Sequence, residues 1–438
     1  MNSLNDRCID AIRGGVLESR LETSAASFFE RRSKDAAAAR LDGDVLCGLA
    51  RVLSSQPMIA GFLSHRPKLL ERIANADATT LTARAKELIS ASDERGDDLE
   101  TALDALRILR REETCLASCL DLGRVIPFEG VSYFLSVLAE TIARRALRLA
   151  QDELGGAPAV SDFAVLGMGT IAGREFTYHS DLDLIFLCSR ISDDISVTSR
   201  VGQRMISYLA SMTGAGVAYA VDTRLRPSGR QGVLVTSFDR FKSYQLENAE
   251  TWEHVALLRA RAIAGQTDDA QNLLENVRQK VLSNSANPWN YLEALRTKVE
   301  RERARPSENA IALKTGRGGL MDVDFLATGG VLEVRPDRFP RLPSVPAMLS
   351  TVAQGSKAAQ LSEDYALLRL VESRARLIAG RPVEEAKIDG EELALLGELV
   401  DPDIAPSALL EELHQAQGRI RAAFKSVVER DTISALFD

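Results

Sequence analysis

Residues 163–187 read FAVLGMGTIAGREFTYHSDLDLIFL, and the fold turns on how that stretch is parsed. FAVLGMG is an apolar run that ends in glycines, which reads as a buried strand entering a tight turn. DLDLIFLC, residues 181–188, reads as a second strand. Side chains at i and i+2 of a strand share a face, so the Asp181 and Asp183 carboxylates project together while Leu182, Leu184 and Phe186 enter the core. Asp is depleted in strands, and two carboxylates on one face raise each other's pKa unless a cation neutralises them. A divalent metal accounts for the pair, and an all-oxygen donor set favours Mg²⁺ or Mn²⁺ over Zn²⁺. The competing reading is a solvated strand start that is merely acidic.

Three neighbouring features add to the acid pair. Gly167-Met168-Gly169 lies directly after the first strand, where glycines let backbone N–H groups approach a polyphosphate. Further on, VAYAVDTRLR (217–226) reads as a third strand that brings Asp222, with Arg224 on the same face. A third carboxylate beside an Asp-x-Asp pair is common equipment of two-metal phosphoryl or nucleotidyl transfer. Arg224 and Arg226 match phosphate bidentately, or else form surface ion pairs. A helix from about 196 to 212, ended by Gly214 and Gly216, is expected between the second and third strands. Gly167-x-Gly169-x-x-Ala172 also fits the dinucleotide-binding fingerprint. That fold needs a crossover helix before the next strand, and only seven residues separate Gly173 from Asp181. The nicotinamide reading is therefore rejected.

Outward from this module the chain reads as helices. Residues 1 to about 75 are rich in Ala, Leu and Arg, and 76–100 are more polar. Val131, Phe134, Leu135, Leu138, Ile142 and Leu149 recur at helical spacing until Gly155-Gly156-Ala157-Pro158 stops the run. Beyond about 240 helical patterning resumes, interrupted where Pro336, Pro340, Pro343 and Pro346 forbid it. The expectation is a mainly helical α+β protein: helices over 1–155, an α/β core over 156–265 and a helical bundle over 266–438. A net charge of −8 leaves no basic stripe for nucleic acid, only room for a local cationic pocket. No apolar run reaches the roughly 18 residues of a membrane span, and the N-terminus lacks a signal-peptide core. Five cysteines without a Cys-x-x-Cys read as reduced thiols, Cys115 and Cys119 as buried core groups, so the expected location is cytoplasmic.

Longer stretches carry a resemblance. VLGMGTIAGREFTYHSDLDLIF, AVDTRLRPSGRQGVLVTSFDRF, TWEHVALLRARAIAG and LKTGRGGLMDVDF resemble the glutamine synthetase adenylyltransferase family, within the DNA-polymerase-β-like nucleotidyltransferase superfamily. The flanks SSQPMIAGFLSHRPKLLERIA, LRILRREETCLASCLDLG and DYALLRLVESRARL are similar too. Family members carry two nucleotidyltransferase units, one attaching AMP to a tyrosine of glutamine synthetase and one removing it by phosphorolysis. One Asp-x-Asp core makes this chain resemble a single half. RLRPSG, LVTS and Thr251-Trp252-Glu253-His254 resemble the adenylylating one.

The resemblance implies a polymerase-β-like core, ATP as substrate and Mg²⁺ or Mn²⁺ on Asp181, Asp183 and Asp222. It implies nucleotide contacts from Gly167, Gly169, Ser180, Arg224, Arg226 and Lys314. Glutamine synthetase is the implied protein partner, with a PII-type signalling protein and glutamine as regulators. Thr170 stands where the family has Lys, Ala172 replaces a glycine, Asp324 a glutamate and Ser373 a histidine. Two rival readings stay open: the deadenylylating half, and a degenerate unit that binds nucleotide or partner without catalysis. Trp252 and His254 fit a helix start as readily as a substrate contact. Lys314 and Arg317 fit a glycine-rich loop as readily as a phosphate site, and Asp322 and Asp324 either join the site or face solvent. His179 points to the opposite strand face and is a bystander to the metal.

Overall fold

The computed structural model describes residues 3–90, 98–155, 162–189, 195–303 and 307–437. At its centre β1 (Phe163–Met168) is buried along its whole length. It pairs antiparallel with β2 (Leu182–Cys188) on one side and with β5 (Ala260–Gly265) on the other. The outer edge of β2 carries two short parallel strands in succession, β3 (Val221–Asp222) at its start and β4 (Val235–Ser237) at its end.

Alternation along these strands sorts the core. Phe163, Val165, Leu182, Leu184 and Phe186 pack with the N-terminal helices. Ala164, Leu166, Met168, Ile185 and Leu187 pack with the C-terminal helices. Both faces are covered, so an unbroken apolar run is what these positions require. The Phe163 and Phe186 rings lie 5.6 Å apart, centroid to centroid, across the β1–β2 pair.

On the N-terminal side a helix over Phe128–Glu153 buries Val131, Phe134, Leu135, Leu138 and Ile142, as their spacing predicts. It ends where Gly155 takes φ +82°. A neighbouring helix, Leu99–Leu122, starts at Asp98, whose side chain accepts the Thr101 N–H. Cys115 and Cys119 are buried free thiols on that helix. On the C-terminal side Pro336, Pro340 and Pro343 lie between the helices Leu320–Val334 and Val345–Val352, whereas Pro346 sits in the first turn of the second helix, where its missing N–H costs nothing. The helix Pro406–Arg430 buries Leu409, Leu413, Ala416, Ile420, Phe424 and Val427. A second, two-stranded sheet pairs β6 (Ala310–Ala312) with β7 (Glu385–Lys387). The whole is mainly helical with a small mixed sheet. Among the described residues no single helix is long and apolar enough to cross a membrane.

The third strand is much shorter than VAYAVDTRLR suggests. The Ala218 and Tyr219 N–H groups both donate to the Leu209 carbonyl, finishing the helix Ile195–Ala210. After Asp222 the chain turns, with the Arg226 N–H on the Thr223 carbonyl. Only Val221 and Asp222 remain to pair with β2. β5 lies inside a stretch that reads as helix, and it completes the sheet. The antiparallel β1–β2 pair, joined through a helix of only four residues, Thr170–Gly173, also rules out the dinucleotide fold.

Candidate functional site

The open end of the β1–β2–β3 sheet gathers the acids. Asp183 and Asp222 are Cα partners on the parallel strands β2 and β3. Asp181 precedes β2 and is exposed, whereas Asp183 is half-buried. Burial, and after it the charge of Asp181, push the Asp183 carboxyl up to about 7, with Asp222 adding to the effect and Lys314 and Arg224 opposing it.

Gly169 forms the floor beside Asp183. Its φ of +60° with ψ −124° is a conformation open to glycine. Its N–H donates to the Arg259 carbonyl at 2.7 Å. A β-carbon placed there would lie 3.9 Å from Oδ2 of Asp183. Gly167 serves packing instead: within β1, a β-carbon on it would come within 2.8 Å of Ile171.

Asp222 accepts from the Arg224 backbone N–H at 2.8 Å and from its Nε at 2.6 Å. Burial opposes ionisation there, but the side-chain and backbone bonds from Arg224 prevail and hold the carboxyl below its ordinary value. The Arg224 side chain is 60% exposed, so water competes for it. Among the described residues no three His, Cys, Asp or Glu side chains converge on one point as a metal cage. The donor chemistry nonetheless fits a hard cation: carboxylates only, one of them pushed up by burial and then by its acidic neighbours.

The other expected residues divide. Lys314 reaches the site from the C-terminal half: its charge is felt at Asp183, and its Nζ sits 3.3 Å from Glu384. Arg226 braces its own loop, donating to the Thr223 carbonyl at 2.8 Å, the Thr223 hydroxyl at 2.9 Å and the Arg230 and Gly232 carbonyls. Ser180 is buried, and its hydroxyl accepts from the Thr177 N–H and from Arg376 Nη1, each at 3.1 Å. His179 sits at φ +55°. Burial, then Arg110 and Arg376, lower its pKa to about 4. Trp252 Nε1 donates to Glu250 at 3.0 Å, and His254 Nε2 lies 2.8 Å from the Gln245 carbonyl. Both contacts belong to the start of the helix Thr251–Leu258. Asp322 is fully buried, accepting from Arg296 and from the Gly318 N–H. Asp324 forms a 3.2 Å ion pair with Arg259.

Sequence reading missed Glu175 and Arg259, which join beneath the Gly169 turn at 2.5 Å. Along the chain Arg259 lies 84 residues from Glu175, and the Tyr365 hydroxyl that also meets this carboxylate lies 190 away, so no local pattern announces them.

Comparison with known proteins adds the family. Residues 46–276 match the profile of glutamate-ammonia ligase adenylyltransferase. The bifunctional glutamine synthetase adenylyltransferase/adenylyl-removing enzyme of Nitrosococcus oceani is 34% identical over 319 residues, 66% of this chain and 33% of that protein. Its namesake from Thioalkalivibrio sulfidiphilus is 33% identical over 68% of this chain and 34% of its own length. That from Pseudomonas aeruginosa is 33% identical over 65% and 33%. The match thus spans about a third of each relative's length. With the profile covering more than half of it, the chain belongs to the glutamate-ammonia ligase adenylyltransferase family.

Proposed function

We propose that this chain transfers AMP from ATP to a tyrosine of glutamine synthetase, on a polymerase-β-like nucleotidyltransferase core. The observation that carries the proposal is the register of Asp183 against Asp222, with Asp181 and the Gly169 turn alongside. The printed names of the relatives supply the acceptor. RLRPSG, LVTS and the Thr251–His254 segment supply the direction.

In the reaction the tyrosine oxygen forms a bond to the α-phosphorus as the bond to the β-phosphate oxygen breaks. Pyrophosphate leaves, and the phenolic proton goes to solvent. Mg²⁺ or Mn²⁺ held by Asp181, Asp183 and Asp222 would neutralise phosphate charge and favour ionisation of a phenol whose ordinary pKa is about 10. Arg224 changes partner, leaving the Asp222 carboxylate for a phosphate oxygen, an exchange of one charge-assisted bond for another. Lys314 contributes a second cation from the opposite wall. Gly169 keeps side-chain bulk away from Asp183, so the triphosphate can lie against backbone. A PII-type protein and glutamine enter as regulators on the strength of the resemblance.

Intact mass of glutamine synthetase, measured after incubation with this protein, Mg²⁺ and ATP, tests the reading. A gain of one AMP per subunit, lost with Asp181→Asn, is expected. Loss of AMP from pre-modified enzyme with phosphate would instead assign the removing activity. No change in either direction would leave a binding unit without catalysis.

A further inference from the structure

The Gly169 turn is gripped from beneath by one carboxylate. Arg259 fixes Gly169 through its backbone, its carbonyl accepting the Gly169 N–H at 2.7 Å. The Arg259 side chain is itself fixed by Glu175 at 2.5 Å and Asp324 at 3.2 Å. Glu175 also closes the turn from its other end, donating its own N–H to the Thr170 carbonyl at 2.8 Å. The carboxylate is folded tightly under the turn: a β-carbon on Gly173 would meet Glu175 Oε2 at 2.5 Å.

The same residue is the point where the C-terminal helices reach the turn. Tyr365, on the helix Ser356–Ala379, donates its hydroxyl to Glu175 Oε1 at 2.9 Å. The first N–H of the helix Val345–Val352 lies 3.3 Å from Oε2. Arg369 donates to the Glu175 carbonyl. Both members of the Glu175–Arg259 pair are nearly buried, their side chains 12% and 9% exposed. Removing the Glu175 charge leaves Arg259 with Asp324 alone in a low-dielectric setting and weakens the support of the turn.

We infer that Glu175 is a positioning residue for nucleotide binding: through Arg259 and its own amide it sets the approach of the Gly169 turn to Asp183, and it ties that approach to the C-terminal helices. The inference rests on the proposed nucleotidyltransferase reading. It names no contact between Glu175 and substrate. Its effect passes through the backbone at Gly169 and Thr170.

The test is calorimetric titration of the full chain with Mg·ATP, which reports affinity and the fraction of competent protein separately. Glu175→Gln keeps the size and an acceptor oxygen but removes the charge. It is expected to weaken Kd about tenfold, the scale of a sub-ångström misplacement, with binding stoichiometry unchanged. A purely structural role would instead lower the stoichiometry and leave Kd alone, which would overturn the inference. Tyr365→Phe removes one donor from the same carboxylate and is expected to weaken Kd about threefold. Should Glu175→Gln not fold, an unchanged Kd in Tyr365→Phe overturns the inference by itself. If the wild-type protein binds no Mg·ATP, the nucleotidyltransferase reading fails and the inference falls with it. Wild-type binding with unaltered variants sinks only the inference.

Discussion

Asp183 and Asp222 lie side by side on parallel strands, yet Arg224 hydrogen-bonds Asp222, and among the described residues Asp183 has no direct cationic partner. Ionising Asp183 in the folded protein therefore costs folding energy, which the proposed role in metal binding would offset. Asp183→Asn should abolish transfer of AMP while the protein melts no lower than wild type at pH 8. Differential scanning fluorimetry beside the mass assay checks both halves. A variant that turns over normally would remove Asp183 from the site.

The same carboxyl gives a pH dependence of definite sign. Its pKa in the folded protein is about 7, above the 3.8 of a free side chain. A raised acid costs nothing below the lower value, a growing amount between the two, and its full amount above the upper one. A shift of this size amounts to a few kcal/mol at most, on the order of 1.4 kcal/mol per pH unit. In EDTA the wild-type melting temperature should therefore fall relative to Asp183→Asn as pH rises from about 4 to about 7. Added Mg²⁺ should stabilise the wild type more at pH 8 than at pH 5. Parallel melting curves for wild type and variant across that range would contradict the assignment.

Arg224 is expected to show the opposite profile. It is largely exposed, so Arg224→Gln should leave the melting temperature close to wild type. Its second partner, in the proposed reaction, is a phosphate. KM for ATP should then rise about tenfold through the lost charge-assisted bond, with kcat reduced less. An unchanged KM would mean the side chain serves Asp222 alone.

How much of this could be read from the chain depends on where the partners lie. β1 and β2 were legible because both faces are buried, which writes an unbroken apolar run into the sequence. The acids were legible because Asp at a strand start is rare enough to demand a reason. Asp222 and Arg224 were legible because they lie two residues apart. β3 was overdrawn because nothing local shows that Ala218 and Tyr219 surrender their N–H groups to Leu209. β5 was hidden because ALLRARAIAG is as helical as it is extended, and only pairing with β1 decides it. Glu175 carried no signal at all, since its partners Arg259, Val345 and Tyr365 meet it only in three dimensions.

Thr170 offers the last test, because it follows Gly169 directly and the family resemblance implies a lysine there. The residue is only partly buried, and the bond it makes to Glu175 uses its carbonyl rather than its side chain. A longer side chain therefore has a way out, and the turn need not change. Thr170→Lys would add a cation beside Asp183, lowering the cost of ionising that carboxyl and raising the local potential toward a triphosphate. KM for ATP should fall several-fold, and the melting temperature at pH 8 should rise relative to wild type. If KM stays put while the melting temperature rises, the added charge is spent on Asp183 and the phosphates lie elsewhere along the turn. If neither moves, the lysine points to solvent, and affinity for the triphosphate rests on Arg224, Lys314 and the backbone.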